Sequence, residues 1–416
     1  MDVLLALSIA AFVILLGFFG NLIFKKTDIP SILWLVGFGL LLGPISGLFG
    51  SPVVDPSFFV SVSGIFSTLA IIIILFDGGL YLDIYKLFKE FPRSMTLAIT
   101  GFVFMEMATV AVMTLFGYSL LHGIIMGAIV GGTCSPTVIT IVSKLRGVRE
   151  ETQTIIDLET SLTDVFSIVI VIAALNAMVN QANFTSALQF LASGFSIGAM
   201  TGLLVGIVWL PLMKKLVDFE FSYVVTLAIL FLLFSGTELL SGNGAMACLL
   251  FGVVLANGRK IYGMLRYENW TYEIDETTKK FHSLIAFLIT TFFFVYLGLV
   301  VSIKNFDLLL IGVILSVAAL LTRYAATWIT TYKGDFNELE KKVIWILFPR
   351  GLTAAVLAYL PISRLPDQFQ GFADIVFAVI ITTVIIATVG VTIIEKKYQT
   401  KEKKVVEQVK VKETKG

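Results

Sequence analysis

The apolar residues of this chain fall into long runs that are separated by short stretches rich in charged residues, glycine and proline. The runs are about 17–25 residues long, the length that a helix needs to cross roughly 30 Å of hydrocarbon, and they lack the alternation of a barrel strand. The pattern therefore predicts an all-α polytopic membrane protein with thirteen transmembrane spans, at residues 2–23, 30–49, 57–80, 93–116, 120–143, 152–179, 187–213, 219–236, 242–258, 281–302, 306–332, 341–362 and 370–395.

The basic residues test this topology, because lysine and arginine favour cytoplasmic loops. With thirteen spans, nearly all of the 30 basic residues fall on one side of the membrane, and the other side carries only Lys304 and Arg364. Arg323 and Arg350 lie inside spans. This asymmetry predicts a multi-pass protein of the cell membrane, with its N-terminus outside and its C-terminus in the cytoplasm. Lysines follow the first run rather than precede it, so we expect a retained span.

Composition agrees with the membrane prediction, since 57% of the residues are hydrophobic and 14% are charged. The net charge of +1 is explained by the cytoplasmic loops and gives no reason to expect a nucleic-acid partner. Cys134 and Cys248 both lie within spans, so we expect no structural disulfide. Residues 396–416 alternate lysine, glutamate and valine and are predicted to form a short charged cytoplasmic tail.

Two spans carry helix breakers at membrane depth. The fifth contains Gly131-Gly132-Thr133-Cys134-Ser135-Pro136, and the twelfth contains Pro349-Arg350-Gly351. If residues 187–213 form a linker helix, the breaks occupy matching positions in two inverted six-helix repeats, at 1–186 and 219–395. Interrupted helices that match in this way indicate the ion site of a transporter. Ordinary helix packing is the alternative, because glycine and proline are common in membrane helices.

A carboxylate lies next to this region, in the sixth span. Asp164 opens the apolar stretch that follows it, and an ionisable group at that depth marks a site for ions or protons by default. Thr160 lies one helical turn before it on the same face, and Asp157 lies two turns before it, where it would guard the cytoplasmic approach. A protonated carboxyl with only a structural role is the alternative for Asp164.

Further intramembrane charges need partners. Glu159 points about 140° away from Asp164 on a helix. We expect it to pair with Arg350, because neither charge is tolerated alone in low dielectric. The alternative is that Glu159 faces water at the interface. Asp77 and Glu106 are the other intramembrane carboxylates, and burial alone favours Glu106 as the more perturbed.

Several segments together resemble the NhaP-type sodium/proton antiporters of the monovalent cation:proton antiporter superfamily. The resemblance covers nearly the whole chain and rests on Gly131-Gly132-Thr133, Glu159-Thr160-Ser161-Leu162-Thr163-Asp164, Glu238-Leu239-Leu240 with Gly244 to Asn257, Phe292-Phe293-Phe294 to Gly298, and Pro349-Arg350-Gly351-Leu352. It implies a homodimer in which each protomer has a core domain, with two crossed interrupted helices, and a separate dimerisation domain. An exchanger of this kind serves sodium transport and pH homeostasis.

The resemblance also implies roles for individual residues. Asp164 would bind the cation and the proton in turn, with a hydroxyl from Thr160, the backbone carbonyl of Thr133, and Asp77 as further cation ligands. The family's structural ion pair falls on Glu159 and Arg350, and the residues around the break and the site are Gly132, Cys134, Ser135, Pro136 and Thr163.

Two positions depart from the family pattern. Cys134 stands where many relatives have Asp, and Thr163 where many have Asn. An Asp-Asp pair goes with electrogenic exchange in this superfamily, so Thr163 before Asp164 implies electroneutral exchange of one cation for one proton.

The expected mechanism is competition at one carboxylate. Desolvation favours the protonated form of Asp164, whereas bound Na⁺ favours the ionised form, so proton and cation displace one another. We predict an antiporter for Na⁺ or Li⁺, without cofactors, and K⁺/H⁺ exchange is the nearest alternative. A cation channel or ion-gated sensor is the alternative of a different class, although a repeated carbonyl filter is missing. Enzyme motifs are absent from the sequence.

Overall fold

The chain folds into a bundle of helices. The computed structural model describes residues 3–27, 29–46, 57–80, 82, 84–142, 145, 147–179, 184–216, 219, 222–264, 276–301 and 305–413. Every regular element within these residues is helical. In chain order they are α1 (Val3–Thr27), α2 (Ser31–Leu40), α3 (Ser57–Leu80), α4 (Ile84–Leu115), α5 (Leu120–Gly131), α6 (Ser135–Val142), α7 (Glu150–Val179), α8 (Phe184–Leu216), α9 (Ser222–Leu239), α10 (Gly244–Ala256), α11 (Gly258–Met264), α12 (Glu276–Val300), α13 (Phe306–Thr331), α14 (Glu338–Ile346), α15 (Leu352–Arg364) and α16 (Phe372–Glu413).

The helices follow the apolar runs, which confirms the predicted all-α membrane class. Among the described residues, six helices are long and apolar enough to cross a membrane, and seven further apolar helices have 10–17 residues. Thirteen spans and their orientation stay predictions. Lys304, which the topology places outside the cell, lies beyond the described residues.

Interruptions occur in the fifth and twelfth predicted spans, as expected. The fifth divides into α5 and α6, and the twelfth into α14 and α15. Local sequence also sets where these half-helices begin. Ser119 caps α5 by accepting a hydrogen bond from the amide of His122, and Asn337 forms a capping box with Glu340 at the start of α14.

Glycines allow two close helix crossings. Gly39 of α2 lies against Gly298 of α12, and Gly79 of α3 lies against Gly252 of α10. A Cβ on any of the four would collide with the backbone of the opposite helix, so only glycine permits these approaches. The predicted inverted repeat would relate one crossing to the other, since it matches the second span with the ninth and the third with the tenth. The repeat itself stays a prediction.

Two elements differ from the sequence prediction. The α2 helix continues as one π-helical turn, Leu41–Ile45, which contains Pro44. The last helix, α16, does not end where the charged tail begins but runs on to Glu413. Tyr398, near the start of that tail, packs against Gly147 in the turn before α7. The helix that crosses the membrane therefore extends into contact with a loop.

Candidate cation and proton site

The two interrupted helices cross at their breaks. The amide of Cys134, in the first break, donates a hydrogen bond to the carbonyl of Pro349, in the second, at 2.8 Å. Gly351 lies directly against the Cys134 thiol, where no side chain could be accommodated. The backbone groups released by unwinding thus satisfy one another across the crossing. The crossing of broken helices predicted from the glycine and proline positions is confirmed.

Asp164 lies beside this crossing, on α7. Its residue is 6% exposed, and its Oδ2 accepts a hydrogen bond from Ser135 at 3.4 Å. The Thr353 hydroxyl faces the same carboxylate. Gly132 leaves the necessary room, because a Cβ there would lie 3.3 Å from Asp164 Oδ1 and 2.7 Å from Ser167 Oγ. Oδ1 is buried and has no hydrogen-bond partner, so one oxygen remains available to a proton or a cation.

The two half-helix N-termini favour negative charge at this position. Ser135 is in the first turn of α6 and Thr353 is in the first turn of α15. The N-terminus of a helix carries partial positive charge, which stabilises a nearby carboxylate. The fold therefore balances the desolvation of Asp164 partly with helix dipoles.

The C-terminal end of α5 is balanced by Arg350. The Nη1 atom of this buried guanidinium donates hydrogen bonds to the carbonyls of Gly131 and Gly132, at 2.9 and 2.8 Å, and to the hydroxyl of Thr133, at 3.0 Å. The amide of Arg350 donates to the hydroxyl of Thr383 at 3.0 Å. Carbonyls at a helix C-terminus carry partial negative charge, so a cation stabilises them.

The C-terminal end of α14 is balanced in the same way by a second arginine. Arg323, on α13, donates from Nε to the carbonyl of Ile344 at 3.0 Å and from Nη2 to the carbonyl of Leu347 at 3.3 Å. It also holds Glu159 bidentately, with Nη1 to Oε1 at 2.7 Å and Nη2 to Oε2 at 2.9 Å. Both residues are buried, at 5% and 1% exposure. This is the ion pair of the site.

The predicted pairing of Glu159 with Arg350 is therefore wrong. The two residues are connected only indirectly, because Thr133 accepts from Arg350 and donates to Glu159 Oε1 at 3.3 Å. The helical wheel correctly gave Glu159 a partner of its own, buried away from water. It could not choose between Arg350 and Arg323, the two arginines inside apolar spans, each of which needs a counter-charge or another polar partner.

The other predicted residues of α7 have defined neighbours. Thr163 accepts from the amide of Thr133 at 3.2 Å and donates to the carbonyl of Thr160 at 3.1 Å, so it ties the first break to α7. The hydroxyl of buried Thr160 donates to the carbonyl of Asp157 at 2.8 Å, which leaves its oxygen lone pairs for a cation. Pro136 lies in the first turn of α6.

Asp77 lies on α3, and its Oδ1 is buried without a hydrogen-bond partner. The carboxyl of Asp77 thus has one oxygen inside the protein that is available to a ligand. That Asp77 and Asp164 bind the same cation stays a prediction.

A cavity of about 180 Å³ reaches the break from the side. Cys134, Thr137 and Leu352 line it from the half-helices α6 and α15 and the break before α6, and α1, α2 and α12 contribute Asn21, Ser31 and Thr290. Its mixture of amide, hydroxyl and apolar groups suits a partly hydrated path.

A second ion pair lies where the chain enters α14. The backbone amide, Nε and Nη2 of Arg149 donate to Glu340 at 3.1, 2.8 and 2.8 Å, and Thr152 donates at 3.0 Å. Burial raises the pKa of Glu340, but these hydrogen bonds and that from Asn337 outweigh burial and hold the pKa at about 2. The carboxylate therefore stays ionised and joins the start of α7 to the start of the second broken helix.

Interrupted helices that cross beside a buried carboxylate are the arrangement of a secondary ion transporter. The sequence model of a family described as "Sodium/hydrogen exchanger, transmembrane" matches residues 9–397. The chain belongs to this family.

Two relatives agree with the family, and both are named K⁺/H⁺ antiporters, whereas the family description names sodium. The chain is 24% identical, over 388 residues, to the K⁺/H⁺ antiporter NhaP of Alkalimonas amylolytica, a match that covers 91% of this chain and 64% of that protein. It is 26% identical, over 373 residues, to the K⁺/H⁺ antiporter NhaP2 of Shewanella baltica, covering 86% of this chain and 60% of the relative. The chain thus spans about three fifths of the length of these relatives.

The fold resembles that of a solved transporter. The sodium/proton antiporter MjNhaP1 from Methanocaldococcus jannaschii, solved at pH 8, superposes with a TM-score of 0.76 at 20% sequence identity, covering 94% of this chain and 96% of that one. A second structure of the same antiporter gives a TM-score of 0.72. The likeness extends over the whole bundle.

Proposed function

We propose that this protein exchanges Na⁺ or Li⁺ for H⁺ across a membrane by competition at Asp164. The observation that carries the proposal is the geometry of that carboxylate. It is buried at the crossing of two broken helices, and one of its oxygens has no partner. Proton and cation then exclude one another, because each neutralises the same charge.

Coupling follows from burial. An empty, charged Asp164 is costly to move through an apolar barrier, whereas the protonated or cation-bound form is neutral. A site that changes its facing only when it is neutral carries either a proton or a cation, and never returns empty. Arg350 supports this cycle, since its positive charge makes the ionised carboxylate available to an incoming cation.

The proposed ligand set combines Asp164 with oxygens of the break. Thr160, the backbone carbonyl of Thr133, and Asp77 would supply further oxygens, which suit Na⁺ as a hard cation. Thr163 occupies the position where a second carboxylate would make exchange electrogenic, and its hydroxyl is held between Thr133 and Thr160. We therefore expect exchange of one cation for one proton.

K⁺/H⁺ exchange is the second candidate, and the names of the two relatives described above favour it. Na⁺/H⁺ and K⁺/H⁺ exchange would use the same carboxylate, so the choice between them depends on the size of the coordination shell and the number of oxygens in it. The same ion competition and the same substitutions apply to either cation.

The assembly proposed with this function is a homodimer in the cell membrane, with the N-terminus outside and the C-terminus in the cytoplasm. The organisation proposed within each protomer is a first repeat at 1–186, a linker helix at 187–213, an inverted second repeat at 219–395 and the tail at 396–416. Basic-residue asymmetry and the resemblance to NhaP-type antiporters support these proposals.

The experiment is proton flux in proteoliposomes on addition of Na⁺, Li⁺ or K⁺, with the membrane potential clamped. We expect one or two of these cations to drive flux and Asp164→Asn to abolish it. Asp157→Asn, the same chemical change two turns away on α7, is the matched control and should lower the apparent affinity without abolishing exchange. Unchanged flux in Asp164→Asn would move the site elsewhere, and no flux with any cation in the native protein would favour a channel or sensor.

A further inference from the structure

A second carboxyl group lies deep in the bundle without a role in the exchange described above. Glu106 is on α4, nine residues before the helix ends at Leu115, which places it about 14 Å from that end. The apolar segment Glu90–Leu115 surrounds it in sequence. An ionisable side chain at this depth is expensive and is a candidate functional group by default.

The carboxyl group of Glu106 packs against the first half of the broken helix. A Cβ on Gly127 of α5 would lie 2.5 Å from Oε2 and 3.1 Å from Oε1, so a larger residue at this position would require the carboxyl to move. Both oxygens are buried and have no hydrogen-bond partner, and the same holds for the fully buried hydroxyl of Thr109, one turn further along α4. The carboxyl of Glu106 therefore faces α5, and its oxygens have nothing among the described residues to balance a negative charge.

The helices packed against α4 are α5, α7 and α13, and the structure shows no hydrogen bond or ion pair between their described charged or titratable groups and Glu106. On α13, Arg323 holds Glu159 and two carbonyls. On α7, Asp164 faces Ser135. His122 on α5 has ring nitrogens that contact Ser119 and the carbonyl of Gln368. Tyr324 on α13 is exposed and packs on Trp345. The remaining groups lie in the first two turns of α7 or the first turn of α13: Glu150, Glu151, Asp157 and Asp307.

A carboxylate anion in such surroundings would remain unpaired, which is strongly unfavourable in a protein interior. A protonated carboxyl carries no charge and gains a donor for a nearby oxygen. We propose that Glu106 is a second intramembrane proton-binding site, distinct from Asp164: it is protonated while it packs against Gly127, and release of the proton displaces it from α5. Since α5 leads into the break, this site would set the pH range of exchange.

The proton site is tested directly by infrared difference spectroscopy of the purified protein in lipid, stepped across pH in the Asp164→Asn background. We expect a protonated-carboxyl band that disappears as pH rises and that is missing in Asp164→Asn/Glu106→Gln. The control is Asp164→Asn/Glu238→Gln, because Glu238 instead accepts a hydrogen bond from the amide of Gly244 at 2.8 Å. That variant should keep the band, and identical spectra with and without Glu106 would overturn the proposal.

Flux measurements test the consequence for transport, and this arm rests on the proposed exchange. Glu106→Gln, which is neutral at every pH, should keep cation-driven flux but extend it to more alkaline pH than in the native protein. An unchanged pH profile would remove the regulatory role. If the native protein shows no flux while the infrared band is present, the proposed exchange fails and the proton site stands.

Discussion

Two buried arginines near the crossing stabilise half-helix C-termini, but their positive charges are balanced in different ways. Arg323 and Arg350 each place a guanidinium at the C-terminal end of a half-helix, against the carbonyls of α14 and α5 respectively. Arg323 is also neutralised by Glu159, whereas the Arg350 guanidinium donates, within the described part of the chain, only to carbonyl and hydroxyl oxygens. A buried positive charge can thus be held by a carboxylate or by the dipole of a helix end, and only the second arrangement leaves its charge to influence Asp164.

The largest predicted effect separates the true ion pair from the expected one. Glu159→Ala and Arg323→Ala should each lower the free energy of unfolding by about 3–5 kcal/mol, because each leaves an unpaired buried charge. The double variant should lose much less than the sum. Thermal unfolding in detergent micelles ranks the variants, and the matched cycle of Glu159→Ala with Arg350→Ala should show weaker coupling. Stronger coupling to Arg350 would restore the pair expected from the sequence.

Arginine-to-lysine substitutions sharpen the comparison. Arg323 uses Nε, Nη1 and Nη2, and a lysine cannot reproduce this fork, so Arg323→Lys should cost about 1.5–3 kcal/mol. Arg350 directs Nη1 at three acceptors, which share its two N–H groups, and a lysine ammonium carries three donors on one nitrogen. Arg350→Lys should therefore be tolerated better in the same unfolding assay. Equal losses of unfolding free energy in the two variants would mean that side-chain length, rather than the geometry of the guanidinium, determines the cost of the substitution.

A steric test addresses the crossing that both arginines surround. Gly351→Ala places a methyl group against the Cys134 thiol and should destabilise the protein by about 1–3 kcal/mol. Cys134→Ala, which removes the sulfur, should recover part of that loss in the double variant. Thermal unfolding measures both. Additive losses would show that position 351 does not contact the Cys134 side chain.

The smallest predicted effect comes from the ion pair at the start of α14. The pKa of Glu340 is lowered from 4.5 to about 2, so its contribution is fully present above pH about 4.5 and is lost as pH falls from there towards about 2. Native protein should therefore lose stability across this window more steeply than Glu340→Gln, while at neutral pH the variant is modestly less stable. Parallel unfolding curves at all pH values would contradict the prediction.

Much of this architecture could be predicted from the sequence because membrane insertion imposes strong rules. Apolar runs of spanning length gave the helices, and Gly131-Gly132 and Pro349-Arg350-Gly351 gave the breaks, since such residues release backbone groups that a membrane protein must satisfy. The depth of Asp164 in an apolar span marked it as an ion site, and the family resemblance grouped it with the first break. These predictions depend on features local to one segment.

The failures depend on geometry between segments. A helical wheel gives the direction of Glu159 but not which of two distant arginines approaches it. Arg323 reaches Glu159 from α13, which packs on α4 and α14. The contact of Glu106 with Gly127 has the same character, because neither residue indicates the other in the sequence. The extension of α16 beyond its apolar run was missed for a different reason. Lysine and glutamate are good helix formers, so the end of an apolar run does not show where the helix ends.

The hydrogen bond between Cys134 and Pro349 couples the two breaks, so we expect them to evolve together. A change in the size of Cys134 or Gly351, or in the path of either unwound segment, alters the packing of the other break, although the segments lie far apart in the chain. A chimera that takes one broken helix from a relative would have to take the other with it, whereas the helices that surround the crossing could be exchanged singly.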